Sequence, residues 1–117
     1  MGGSGILGAF EELVLLSVTR QAGEGYGVSI RRELADTTGR DVSMGAVHAT
    51  LERLEEKGLV ASGPAARPRV RPGRPRRCFR VTADGARELA HTREVRDRLW
   101  DGVTPALAAD DGPGRAS

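Results

Sequence analysis

The apolar positions of this chain fall into helical runs separated by glycine-rich breaks. "ILGAFEELVLLSV" sets Leu7, Phe10, Leu13, Val14 and Val18 at helical spacing, and Leu15 and Leu16 widen the apolar surface beyond one stripe. A helix apolar on more than one side needs more than one partner. The glycines of "QAGEGYG" end that run. Tyr26, Ile30 and Leu34 then follow at i, i+4 and i+8 with charged residues between them, which predicts a second helix ending near Gly39. A third helix is the best defined: Ser43 can cap it, Val47, Leu51 and Leu54 share one face, and Gly58 stops it.

Beyond Gly58 the period shortens. "LVAS" and "RCFRVT" predict two short strands. Between them Pro64, Pro68, Pro72 and Pro75 cannot donate to a ladder, so pairing must stop before them and leave a hairpin with a long tip. Thr82 can cap a last helix through "ADGARELAHTREVRDRLWDGV", with Ala86, Leu89, Leu99, Trp100 and Val103 as its stripe and Arg96 interrupting it. Gly102 and Pro105 are expected to end that helix, and "AADDGPGRAS" reads as a disordered tail. The order helix, helix, helix, strand, strand, helix predicts a mainly α fold with a small β-hairpin. It is the layout of a winged helix-turn-helix, in which the third helix is the recognition helix and the hairpin the wing.

Length and charge sharpen that picture. A chain of 117 residues suits one domain with a small core, which gains from burying surface against a second copy. The net charge is only +2, yet Arg67, Arg69, Arg71, Arg74, Arg76, Arg77 and Arg80 fall within fourteen residues, and no acidic residue lies between Glu56 and Asp84. A mild total thus conceals a local cationic strip of the kind that draws polyanions. The single cysteine, Cys78, excludes an intrachain disulfide and points to a reducing compartment, with a small buried side chain as its expected role. No run is long enough for a membrane span and "MGGSG" does not read as a signal peptide, so a cytoplasmic protein is expected.

Enzyme chemistry finds no footing. Two histidines and one cysteine make no metal-ligand spacing, no glycine-rich phosphate loop follows a strand, and no nucleophile motif is present. No metal and no cofactor are expected. Glu52, Glu55 and Glu56 read as an exposed helical face, and His91 as a solvated residue.

Four blocks together resemble the short PadR-type transcriptional regulators: "EELVLLSV", "YGVSIRREL", "SMGAVHATLERLEEKGLV" and "RRCFRVTADGARELA". They cover roughly residues 7 to 103 in order. Two positions depart from the family pattern. His48 follows Gly45-Ala46-Val47 where a tyrosine is common, and Cys78-Phe79 stands where paired aromatics are common. The resemblance implies a homodimer held by the first and last helices, with Leu7, Phe10, Val14, Leu89, Leu99, Trp100 and Val103 as its interface here. It also implies a ligand-responsive repressor, in which Trp100 could contact a small hydrophobic or aromatic effector, plain dimer packing being the simpler role for that residue. The expected division is a flexible N-terminus at 1–5, a winged-helix domain at 6–82, a dimerisation helix at 83–103 and a disordered tail at 104–117.

The expected partner is double-stranded DNA carrying a pseudo-palindromic operator. The first half of the third helix offers Ser43, Met44, Gly45, Ala46, His48 and Ala49, mostly small, while its second half is acidic apart from Arg53. Small side chains let backbone approach a groove, and helix N-termini attract phosphate, so the N-terminal end should enter the major groove with His48 and Arg53 flanking it. Arg67, Arg69, Arg71, Arg74, Arg76 and Arg77 would supply wing contacts, either along phosphates or in a minor groove. Gly73-Arg74-Pro75 is only a weak match to an AT-hook because Pro72 precedes it. The alternatives are a winged protein-interaction module and a non-specific binder of AT-rich DNA. Tyr26 is expected to anchor a helix start more than to touch phosphate.

Overall fold

The computed structural model describes residues 6–65 and 76–110. Its elements run α1 (Ala9–Arg20), α2 (Gly27–Thr38), α3 (Met44–Glu56), β1 (Val60–Gly63), β2 (Cys78–Val81), α4 (Ala83–Trp100) and α5 (Val103–Asp110). Local chemistry sets the boundaries. Ser43 Oγ accepts from the Ala46 amide at 3.0 Å and Thr82 Oγ1 from the Gly85 amide at 3.0 Å, each satisfying a donor that the first helical turn leaves unpaired. Gly39, at φ 71°, closes α2 in the left-handed region where a Cβ is costly.

Leu7 and the α1 residues Val14, Leu15 and Val18 meet Ile30 and Leu34 of α2, Val47, Leu51 and Leu54 of α3, and Leu59, Val60 and Phe79 of the wing root in one core. The inner stripe of α1 therefore differs from the predicted one. Leu15 is fully buried while Leu13 and Leu16 are exposed, because α2 and α3 together cover the side of α1 that carries Val14, Leu15 and Val18. Three buried hydroxyls complete the interior. Ser17 Oγ donates to Glu33 Oε1 at 2.6 Å, Thr50 Oγ1 accepts from Arg53 Nη2 at 3.3 Å, and Thr92 Oγ1 accepts from the Leu7 amide at 3.1 Å. No buried side-chain polar atom among the described residues lacks a partner, as stability requires when donors leave water.

The strands pair antiparallel in the register Val60↔Val81, Ala61↔Arg80, Ser62↔Phe79 and Gly63↔Cys78. The ladder ends one residue before Pro64, where a missing N–H would interrupt it. An isolated bridge adds the segment before α2 to the far edge of β2: the Phe79 amide donates to the Gly25 carbonyl at 2.8 Å. The "QAGEGYG" break thus docks the wing root as well as separating two helices.

On α4, Gly85, Leu89, Thr92 and Arg96 line the side against the domain. A Cβ on Gly85 would stand 2.2 Å from the Leu59 carbonyl oxygen, so only glycine allows this crossing. Arg96, which breaks the predicted apolar stripe, reaches Glu12 of α1 at 2.8 Å and so ties the two helices together. α4 stops at Trp100, the chain turns at Gly102 with φ 81°, and Val103–Asp110 form a further helix where the expected disordered tail would begin; residues 111–117 of that tail lie outside the described residues. Pro105 does not prevent it, since it sits in the first turn, where an amide has no intrahelical acceptor.

Candidate nucleic-acid interface

α2 and α3 cross where Gly27 lacks a side chain. A Cβ there would lie 3.0 Å from His48 Cε1 and 3.1 Å from Met44 Cε, so these two α3 residues rest directly on the start of α2. That contact turns the first half of α3 outward. Ser43, Gly45, Ala46, His48 and Ala49 are exposed, and Met44 is half-buried beneath them. The surface is shallow and nearly free of long side chains, suited to close approach by a groove at the positive end of a helix.

The second half of α3 is electrostatically occupied. Arg53 Nε lies 3.3 Å and Lys57 Nζ 3.0 Å from Glu11 Oε2 on α1. Burial works against the Glu11 charge, but hydrogen bonds from Lys57, the Gly8 amide and Arg53, with the Lys57 charge, outweigh it and hold the carboxyl below the ordinary carboxylate value. Arg53, expected as a flanking DNA contact, is exposed and meets Glu11 Oε2 at 3.3 Å and Thr50 Oγ1 at 3.3 Å.

At the wing root the adjacent arginines part company. Arg76 lies over the Tyr26 ring with its guanidinium carbon 4.3 Å from the centroid. Stacking occupies the face of a guanidinium and leaves its N–H edge able to meet a phosphate. Arg77 is exposed but paired: its Nη2 is 2.6 Å from Glu55 Oε1, and its guanidinium carbon is 5.1 Å from the Phe79 centroid. Glu55 Oε2 also accepts from Ser62 Oγ at 2.7 Å. Glu55 is thus part of the wing root rather than of a solvated acidic face, and sequence reasoning missed it because no spacing rule links a helical glutamate to two separate strands. Arg67, Arg69, Arg71 and Arg74 lie outside the described residues.

Tyr26 stands at the start of α2, its amide donating to Ser29 Oγ at 2.9 Å, so it anchors a helix as well as carrying Arg76. Cys78 is buried in β2, and His91 is exposed. No group of three or more metal-ligating side chains occurs among the described residues, and no helix among them is long and apolar enough to cross a membrane.

The residues expected at a dimer interface divide. Leu7 and Val14 are buried inside their own chain, Leu7 beneath α4 and Val14 in the helical core. Phe10, Leu89 and Val103 are half-buried. Leu99 is 72% and Trp100 57% exposed at the end of α4, with Ile6 and Leu107 exposed as well. Trp100 accordingly faces out of the chain, not inward along its helix.

The family model described as "Transcriptional regulator PadR-like family" matches residues 15–91. Among solved structures, a PadR family transcriptional regulator from Eggerthella lenta is similar with 29% identity and a TM-score of 0.62, the match covering 81% of this chain and 80% of that one. A PadR-like regulator from Bacillus cereus shares the fold with a TM-score of 0.69 at 20% identity, over 84% and 90% of the two chains. A complex structure of hsRosR is similar with 25% identity and a TM-score of 0.60, over 90% and 96%. No curated protein matches the chain.

Proposed function

The chain belongs to the PadR-like family of transcriptional regulators and is a DNA-binding regulator, and from that premise we propose that it acts as a dimeric, ligand-responsive repressor. In this reading α3 enters the major groove by its first half, with Ser43, Met44, Gly45, Ala46, His48 and Ala49 against the duplex. The observation that carries it is the exposed, small-residue, capped start of α3, together with an exposed Arg76 stacked on Tyr26 at the wing root.

The wing arginines Arg67, Arg69, Arg71, Arg74 and Arg76 supply most of the phosphate contact, because Arg53, Lys57 and Arg77 are already paired with carboxylates. Specificity then comes less from long base-reading side chains than from close backbone fit and DNA shape. Two copies associate through Leu99, Trp100 and their exposed apolar neighbours, and Trp100 offers a flat surface to an aromatic effector.

The test is equilibrium binding to a duplex from the protein's own promoter region across a salt series. Tight, steeply salt-dependent binding is expected. Changing Arg71, Arg74 and Arg76 together to Ala should lower the slope by up to about 0.9 for each phosphate left without its arginine. An unchanged slope would remove the wing from the interface.

A further inference from the structure

We propose that Glu55 is a positioning residue that fixes the wing against the recognition helix, and that Arg77 serves this clamp instead of contacting DNA. The proposal rests on the DNA-binding reading and adds a role that the helix's acidity conceals. One carboxylate of α3 holds β1 and the residue that leads into β2. Its Oε2 accepts from Ser62 of β1 at 2.7 Å, and its Oε1 meets Arg77, the residue before β2, at 2.6 Å. These contacts sit at the open end of the ladder, where Gly63↔Cys78 is the last pair and Pro64 follows. Among the described residues no pairing continues past that pair, so the direction in which the wing leaves the body there depends on what grips its two sides. The Phe79 ring beneath the Arg77 guanidinium supports the same placement.

Two roles for Glu55 predict opposite signs. A glutamate beside DNA repels phosphate, so as a bystander its removal should tighten binding. As a clamp, its removal should loosen binding, because the wing arginines lose their register on the phosphates. The salt slope separates the two further, since only a smaller number of neutralised phosphates lowers it.

The experiment uses the full chain, Glu55→Ala, Glu55→Gln, Arg77→Ala and the double variant Glu55→Ala/Arg77→Ala. Binding to a mixed-sequence duplex is followed over a salt series, and amide exchange is followed across β1 and β2. Glu55→Ala should bind about tenfold more weakly with a slope reduced by about 0.9 or more. Glu55→Gln keeps one acceptor oxygen for Arg77 and turns the other position into a donor that Ser62 Oγ can accept from, so it should recover part of the loss. The strand amides of Glu55→Ala should exchange about tenfold faster while those of α2 stay unchanged, as charge-assisted contacts of this kind imply. Arg77→Ala should behave like Glu55→Ala, and the double variant no worse than either.

Equal or tighter binding by Glu55→Ala, or a further fall in slope when Arg77→Ala is added to it, would overturn the proposal. If Glu55→Ala fails to fold, Arg77→Ala alone decides through strand exchange. If the unaltered protein binds no duplex, the DNA-binding reading fails, and unchanged strand exchange in the variants would then refute the clamp separately.

Discussion

Replacing Gly85 by Ala tests how α4 is seated. A Cβ at this position would meet the Leu59 carbonyl oxygen at 2.2 Å and Val81 Cγ2 at 2.8 Å, against ordinary contact beginning near 3.4 Å. The closer obstacle is backbone and cannot rotate away. The Leu59 carbonyl is also fixed from the other side, since it accepts from the Thr82 amide at 3.0 Å, while Thr82 Oγ1 donates to the Gly58 carbonyl at 2.6 Å. To relieve the clash α4 must back away and strain its own cap. Alanine gains up to about 1 kcal/mol in helix propensity, whereas overpacking of a closed site costs about 1–3 kcal/mol and sometimes more. With a backbone obstacle the upper part of that range applies, so a net loss of about 2 kcal/mol is expected. For a chain of this size that lowers the melting temperature by on the order of 10 °C. Thermal and urea unfolding followed by far-ultraviolet circular dichroism would measure it, with the exposed neighbour Ala86→Gly as a control for helix propensity alone, worth about 1 kcal/mol. A Gly85→Ala protein as stable as the unaltered one would refute the close crossing of α4 over Leu59.

Other outcomes follow from the same packing. Ser43→Ala removes the cap of α3 and should cost about 1 kcal/mol, read as a lower urea midpoint at unchanged slope. Hydrogen bonds from Ser17 and Arg20 hold the Glu33 carboxyl below its ordinary value of 4.5, despite burial pulling the other way. That stabilisation is complete above the unfolded value and is lost as the pH falls through the lower folded value, so Glu33→Gln should flatten the acid limb of a stability-against-pH curve below about 4.5 and an unchanged limb would count against it. Leu99→Ala with Trp100→Ala should weaken self-association at least tenfold by sedimentation, since both side chains are mainly exposed in the single chain. An unaltered association constant would place the interface elsewhere. Quenching of Trp100 fluorescence by planar aromatic compounds is the expected sign of an effector surface, and silence across a broad panel would contradict it.

The helices are legible in the sequence because their signals are local. Ser43, Thr82 and Gly39 mark ends through cap chemistry and glycine conformation, and Val47, Leu51 and Leu54 repeat at helical spacing. The strands are legible because Pro64 limits where a ladder can run. What escapes depends on which neighbour covers a surface. Leu13 and Leu15 are equally apolar, and only the joint packing of α2 and α3 buries the second. Leu7 and Val14 look like interface residues until the chain's own α4 and core are in place. Thr50 and Thr92 read as polar, yet each is buried because an arginine or an amide reaches its hydroxyl. Long-range pairings are invisible for the same reason: nothing in "LERLEEKG" announces that Glu55 meets Ser62 of β1 and Arg77 beside β2, or that Glu11 bridges Arg53 and Lys57. The helix after Gly102 escapes because a proline ends a helix only from its interior, and Pro105 occupies a first turn.

In the proposed function two copies of this chain hold one operator, each through the start of α3 and its wing. Hydroxyl-radical footprinting of the unaltered protein on its own promoter region tests it most directly. Two protected half-sites are expected, related by a dyad and spaced by about one helical turn, roughly 34–36 Å or a multiple, with flanking protection that disappears when Arg71, Arg74 and Arg76 are changed to Ala. Protection without a defined spacing, or none at salt where unrelated DNA is released, would contradict it.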